Sequence, residues 1–246
     1  MLLTYSPYII SPLIAFLLVL VMIVYTWRHR TTPIVTTFLI LMSALALWSL
    51  TVVLEHGSPS LIAKIFWVKL SYLGIVILPT AWLIFTLQYA NREKWLTKRN
   101  LAMLAVLPAI TLVMVWTNDT YHLMWKNIWL DTNVSPPVDA VSHNLWFLVQ
   151  AMYSYLLIFL GNLTILRVFL HSSGIYRKQV GIMLLATIVP WVANFLFIVG
   201  VGPFTVIDPT PTGLCINRRS LLVGDLSLPV AGNYANSARG NIQEYG

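Results

Sequence analysis

Residues 65–89, IFWVKLSYLGIVILPTAWLIFTLQY, form an apolar run in which Lys69 is the only charged side chain. The hydrocarbon core of a bilayer is about 30 Å thick, so a helix that crosses it needs roughly 20 apolar residues. The run exceeds this length and therefore predicts a transmembrane helix. Pro79 lies inside the run, and transmembrane helices tolerate a proline at such a position.

The composition of the whole chain agrees with a membrane protein. Of its 246 residues, 58% are hydrophobic and only 9% are charged, and the mean hydropathy is +0.78. A soluble domain is nearer half apolar and about a quarter charged. The composition therefore excludes a soluble cytosolic enzyme and a disordered chain. We assign the net charge of +7 to cytoplasmic loops and expect no nucleic-acid partner.

Five further apolar runs accompany the first, and tryptophans lie at several of their boundaries, as interfacial aromatic residues do. We therefore predict an all-α polytopic membrane protein with six transmembrane helices. The predicted spans are Ile9–Trp27, Pro33–Leu54, Ile65–Tyr89, Leu101–Trp116, Leu145–Leu170 and Val180–Gly202.

The distribution of positive charge predicts the orientation. Three basic residues, Lys64, Lys69 and Lys126, lie on the side of the second and fourth connections, whereas nine lie on the other side. Because Lys and Arg favour cytoplasmic loops, we predict a multi-pass cell-membrane protein with its N-terminus outside and loops 28–32, 91–100 and 171–179 in the cytoplasm. The nine residues are Arg28, Arg30, Arg92, Lys94, Lys98, Arg99, Arg167, Arg177 and Lys178.

The connection Thr117–Asn144 is the longest loop between the predicted spans, and the predicted orientation places it outside. Loops of this length between membrane helices are often functional. The sequence leaves open a plainer interpretation, in which its aromatic residues form a cap that rests at the membrane interface.

Residues able to carry catalysis or bind a metal are few. The five histidines are scattered among connections, without the spacing that places two on one helical face, and Cys215 is the only cysteine. No nucleophile motif or phosphate-binding glycine loop occurs. We expect no catalytic residue, no metal, no cofactor and no enzymatic activity.

Polar residues in the outer halves of the spans form the candidate ligand-binding site. Lys69 and Tyr72 share one face of the third helix, and Gln150 and Tyr153 share one face of the fifth. One hypothesis is a pocket that opens outward and takes a small amphiphilic ligand. The alternative is that Lys69 reaches the interface or pairs with Glu55, while the amides bond between helices. The six candidates are Glu55, Lys69, Tyr72, Gln150, Tyr153 and Asn194.

The order of motifs along the chain resembles the seven-transmembrane N-terminal sensor region of bacterial histidine kinases, over roughly residues 1–211. The resemblance starts in span two and continues to the Asp208-Pro209-Thr210-Pro211 segment. The residues that carry it are Leu47-Trp48-Ser49, Glu55, Trp67, Lys69, Tyr72-Leu73-Gly74, Pro79, Trp82, Phe85, Tyr89, Arg92–Thr97, Leu107-Pro108, Trp116-Thr117-Asn118, His122, Pro190 and Asn194.

The resemblance implies a membrane-embedded sensory input module of a two-component-type receptor. Such a module passes a signal to a cytoplasmic output domain, and the family's membrane part offers no catalytic residues to carry over. The partners we expect are the lipid bilayer, a ligand of unknown identity and a signalling output domain, and a homodimer stays open.

The tail departs from the family pattern. Residues 212–246 match neither the family's seventh helix nor a kinase segment, so we expect a sensor bundle over 1–211 that lacks its last helix and output domain. The tail is expected to be a divergent or frame-shifted segment with poor order. Two other function classes stay open, a small solute transporter or channel and a non-catalytic subunit of a membrane complex.

Overall fold

The computed structural model describes residues 9–28, 32–131 and 138–199. Over these residues the chain forms α-helices and one two-stranded antiparallel sheet. A short 3-10 turn, Glu93–Trp95, precedes the fourth helix. The elements are α1 Ile10–Trp27, α2 Pro33–Gly57, α3 Leu61–Tyr89, α4 Lys98–Trp116, α5 Asn118–Tyr121, β1 Trp125–Asp131, β2 Val138–His143, α6 Leu145–His171 and α7 Gly174–Val199.

Five helices in the described part, α1, α2, α3, α4 and α6, are long and apolar enough to cross a membrane. This confirms the prediction of an all-α polytopic membrane protein. The sixth predicted span, Val180–Gly202, coincides with α7 as far as Val199, and that α7 crosses the membrane stays a prediction. The proposed boundary at residue 211 and the tail 212–246 lie outside the described residues.

Several helices begin earlier than the predicted spans because polar caps lie outside the apolar runs. The Ser60 hydroxyl accepts a hydrogen bond from the backbone N–H of Ala63, so α3 begins at Leu61. The Thr97 hydroxyl accepts one from the N–H of Asn100, so α4 begins at Lys98. Hydropathy alone does not detect such caps, which satisfy the free N–H groups of a first turn.

Helix α3 is central in the bundle and contacts α2, α4 and α6. Glycines permit two of these contacts to be close. A Cβ on Gly74 would lie 2.5 Å from the carbonyl oxygen of Ala44 on α2, and one on Gly161 of α6 would lie 2.6 Å from the indole Nε1 of Trp82 on α3. Small residues allow this approach, which dispersion forces then stabilise within a membrane.

Helix α7 packs against α6, and their interface includes a polar contact. The Thr187 hydroxyl on α7 donates a hydrogen bond of 3.0 Å to Oδ1 of Asn162 on α6. Around it, α7 contributes Val180 and Leu184 to a buried cluster with residues of α2, α3 and α6. The polar bond and the apolar cluster together attach α7 to the rest of the bundle.

The loop between α4 and α6 contains regular secondary structure. It contains the short helix α5 and the antiparallel pair β1–β2, in which Trp125 pairs with His143 and Asp131 with Val138. We call residues 118–131 and 138–143 the cap. Along the chain, the cap lies between the last residue of α4 and the first residue of α6. It therefore lies at the end of the bundle where α4 ends and α6 begins.

Replacing Gly74 by Ala should destabilise the bundle. In a helix, Gly to Ala normally stabilises by about 1 kcal/mol, but here the added Cβ would press on the Ala44 backbone, so we expect a net loss of about 1–3 kcal/mol. Thermal unfolding in detergent, followed by circular dichroism, measures it.

The control is Gly181→Ala on α7, where the nearest atom to the added Cβ belongs to the Phe169 ring, at 3.2 Å, and can move aside. Its melting temperature should stay at or above that of the unmodified chain. A Gly74→Ala variant as stable as this control would contradict the close approach of α2 and α3.

Candidate functional site

Trp125 attaches the cap to the bundle. It is the first residue of β1, is 1% exposed, and joins a buried cluster with Tyr72 and Val76 of α3 and Val115 of α4. Its ring meets that of Tyr72 edge to face, with centroids 5.5 Å apart. Such aromatic pairs contribute about 0.5–1.5 kcal/mol beyond the apolar area that they bury. The indole therefore fills the end of the bundle.

The side chain of Asn118 places Trp125 there. Its Oδ1 accepts hydrogen bonds from the backbone N–H groups of Met124, at 2.8 Å, and Trp125, at 3.0 Å, and its Nδ2 donates to the Trp125 carbonyl at 3.2 Å. Asn118 and Met124 are themselves buried. One amide thus satisfies three backbone groups that would otherwise be costly to bury.

Asn144, which follows β2, holds the same end of the cap from the side of α6. Its Nδ2 donates to the carbonyl of His122 at 2.7 Å, and its backbone N–H donates to the carbonyl of Met124 at 2.9 Å. Its Oδ1 also accepts from the N–H of Leu145 at the start of α6. His122 adopts a left-handed conformation, with φ of 52°, where the chain turns back from α5. The cap is therefore tied to both α4 and α6.

Lys69 has a different partner from the one the sequence analysis considered. Its ammonium donates a hydrogen bond of 2.7 Å to the carboxylate of Asp119 in the cap. Asp119 follows Asn118 directly, so the bonds that hold Asn118 bring Asp119 to α3. The alternative of a pair between Lys69 and Glu55 stays a prediction. The Lys69 side chain is 9% exposed and that of Asp119 is 75% exposed, so the pair joins a buried cation to an anion at the surface.

Gln150 lies in a hydrogen-bonded chain between α4 and α6. The indole N–H of Trp146 donates to the Thr111 hydroxyl at 3.1 Å, and that hydroxyl donates to Gln150 Oε1 at 2.8 Å. Gln150 Nε2 then donates to the Ser154 hydroxyl at 3.0 Å. This contact agrees with the alternative that the amides bond between helices.

Tyr153 compensates for a proline. Pro108 lies inside α4 and has no N–H, so the carbonyl of Leu104, four residues earlier, loses its helical partner. The Tyr153 hydroxyl on α6 donates to this carbonyl at 2.7 Å. A backbone acceptor freed within the membrane is thus satisfied by a neighbouring helix.

The remaining candidates lie elsewhere. Glu55 is buried near the end of α2, where its backbone carbonyl accepts a bond of 3.0 Å from the ammonium of Lys64. Asn194 lies on α7, and its side chain is outside the described part. In the described contacts, Lys69 and Tyr72 meet the cap, whereas Gln150 and Tyr153 meet α4. A ligand pocket shared by all six residues stays a prediction.

Over residues 9–28, 32–131 and 138–199, no group of three His, Cys, Asp or Glu side chains is placed to hold a metal ion. The described residues instead form a structural contact site, in which the aromatic and polar side chains of the cap contact α3, α4 and α6.

The six candidate residues do not include those that organise this site, Asn118, Trp125 and Thr111, although Asn118 is among the residues that carry the family resemblance. Each stands out weakly in the sequence, since an asparagine after a helix, a loop tryptophan and a threonine in an apolar run are common. Asparagine at a helix–loop boundary does favour local bonds to backbone groups, and this was the available signal.

A family model described as the N-terminal 7TM region of histidine kinase matches residues 11–224. No curated protein matches the chain.

A double-mutant cycle tests the bond between Tyr153 and the carbonyl freed by Pro108. Tyr153→Phe should cost about 1 kcal/mol of unfolding free energy in the unmodified chain. In a Pro108→Ala background, the restored N–H can serve Leu104, so the same substitution should cost less than half as much. Chemical unfolding in micelles measures all four forms.

The Tyr153 ring also packs against the cluster that contains Leu104. Because Tyr153→Phe keeps the ring, the cycle does not include a loss of packing. Equal costs of Tyr153→Phe in both backgrounds would show that the hydroxyl does not replace the missing N–H.

Proposed function

Because the chain belongs to the family of N-terminal seven-transmembrane regions of histidine kinases, we propose that it is a sensory input module that detects a stimulus through its cap. The bundle transmits the stimulus across the membrane to a histidine kinase output domain, and performs no catalysis itself. The observation that carries the proposal is the burial of Trp125 among α3, α4 and α6.

The orientation belongs to the same proposal. The cap faces the outside, and the connections at the other end face the cytoplasm, as the distribution of basic residues favours. The connection between α3 and α4 and the first turn of α4 expose four basic residues at that other end, Arg92, Lys94, Lys98 and Arg99. A cytoplasmic output domain would therefore meet the bundle at the end opposite the cap.

A stimulus at the cap has a physical route to that end. The cap contacts α3 through Tyr72 and Lys69, and α3 packs closely on α2 and α6. A change in the seat of Trp125 would alter how these helices pack, and helix shifts of about 1–2 Å are typical of switching proteins.

The transporter alternative receives less support from the described contacts. A solute path needs polar groups free to face it, whereas Thr111, Gln150 and Tyr153 are used in bonds between α4 and α6. Solute uptake into liposomes that contain the protein would favour a transporter over a sensor. A homodimer and a complex subunit both stay predictions.

Distance measurement across the bundle tests the proposal. Spin labels at Lys94→Cys and Ser173→Cys, in a Cys215→Ser background, report the end opposite the cap in lipid nanodiscs. Asn118→Ala removes three bonds from the cap, so it should shift this distance by about 1–2 Å or more.

Tyr121→Ala is the matched control, because Tyr121 lies in α5 and is 65% exposed. It should leave the distance unchanged. If the Asn118→Ala variant folds, shows greater exposure of the cap and yet keeps the unmodified distance, the cap does not communicate with the far end and the sensory proposal fails.

A further inference from the structure

His143 occupies the joint between the cap and α6. It is the last residue of β2 and pairs across the sheet with Trp125, the residue that fills the end of the bundle. Its imidazole lies against the ring of Phe147 on α6, with centroids 3.7 Å apart. A change in this side chain would act directly on the seat of Trp125.

The imidazole is poorly suited to carry a charge in this position. Its Nε2 is buried and has no hydrogen-bond partner in the described part of the chain. Protonation makes both ring nitrogens donors, so it would leave a charged donor unsatisfied. Burial correspondingly lowers the pKa of His143 from 6.5 to about 4.

The neighbouring elements place few charges near it. Lys126 on β1, Asp119 on α5 and His122 after α5 are all exposed. Asp119 is bonded to Lys69 of α3. Helix α6 has no ionisable residue before Tyr153. The cap also contains Asp131 and Asp139, and the register places both near the far end of the sheet from His143. Asp139 is four residues from His143, or roughly 13 Å along the strand.

We propose that His143 is a proton-binding site, and that its protonation releases the cap from the bundle when the cap side is acidified. The proposal rests on the proposed sensory function only in naming the proton as a stimulus; the site itself does not depend on it. In the imidazolium, Nε2 is a charged donor that lies buried without a partner, and the charged ring is stable only once the cap opens to water.

The direction and size of the effect follow from linkage. The closed cap has the lower pKa, so it binds fewer protons than the open cap, and its stability is full above pH 6.5 and falls as the pH drops toward 4. With an ordinary pKa of 6.5 in the open cap, the ratio of closed to open should fall about 20-fold between pH 7 and pH 5.

Amide hydrogen exchange of the full chain in lipid nanodiscs measures this ratio. The reporters are the N–H groups of Met124 and Trp125, which Asn118 holds in the closed cap. Their exchange, divided by the rate of the same amides in an unstructured peptide at each pH, should lose about 20-fold of its protection from pH 7 to pH 5. The series stops at pH 5 because Asp and Glu ordinarily stay ionised above that value.

Two substitutions remove the titration, and one control retains it. His143→Gln and His143→Phe are uncharged at every pH, so protection at the reporters should vary less than two-fold over the same range; two variants guard against one failing to fold. His122→Asn removes an exposed histidine of the same cap, in a left-handed position that asparagine tolerates, and should keep the full loss.

Constant protection in the unmodified chain, or an undiminished loss in both His143 variants, would overturn the proposal. The outcome is separate from that of the sensory proposal. If protection falls through His143 while the distance between labels at positions 94 and 173 stays constant from pH 7 to pH 5, the proton site stands and the sensory function fails.

Discussion

The hydrogen bonds of the Asn118 amide are the interaction on which the rest of the site depends. They satisfy two N–H groups and one carbonyl where the chain turns from α5 into β1. Each of these groups would cost about 1–3 kcal/mol if it were buried unpaired. Because Trp125 is one of the residues held, the same bonds determine where its indole enters the bundle, and Asp119, the next residue after Asn118, is brought to Lys69.

The bundle applies the same constraint within the membrane, where no water can satisfy a backbone group. Pro108 frees the Leu104 carbonyl, and a tyrosine from α6 replaces the missing donor. Between the same two helices, the Thr111 hydroxyl on α4 donates a hydrogen bond to Oε1 of Gln150 on α6. Gln150 and Tyr153, two of the six candidate ligand-binding residues, thus join α4 to α6 through these bonds.

The sequence predicts the transmembrane helices, which depend on hydropathy, but not the hydrogen-bond and ion-pair partners of individual side chains. The spans Ile65–Tyr89 and Leu101–Trp116 lie within α3 and α4, because crossing a bilayer requires length and apolarity, both visible locally. The partner of Lys69 could not be predicted in this way, since Asp119 is 50 residues away and reaches α3 only after the loop folds.

The cap shows a second kind of limit. The strand pairing is irregular after Trp125, and the segment between the two strands contains Pro136 and Pro137. The sequence therefore lacks the strict alternation of apolar and polar residues and the short turn motif that would predict a hairpin. That Gln150 and Tyr153 share the first half of one predicted span was visible from the sequence. That their polar atoms meet α4 depends on how α6 rotates against it, which tertiary packing decides.

The central claim is that Trp125 is part of the bundle's own core, and the coupling between Trp125 and Tyr72 tests it most directly. Unfolding free energies of Tyr72→Ala, Trp125→Ala and the double variant in nanodiscs give the coupling. The account predicts that the two single losses exceed the double loss by at least about 1 kcal/mol, because the rings share one edge-to-face contact. Losses that add to within about 0.5 kcal/mol would contradict it, since the cap would then lie on the bundle without joining its core.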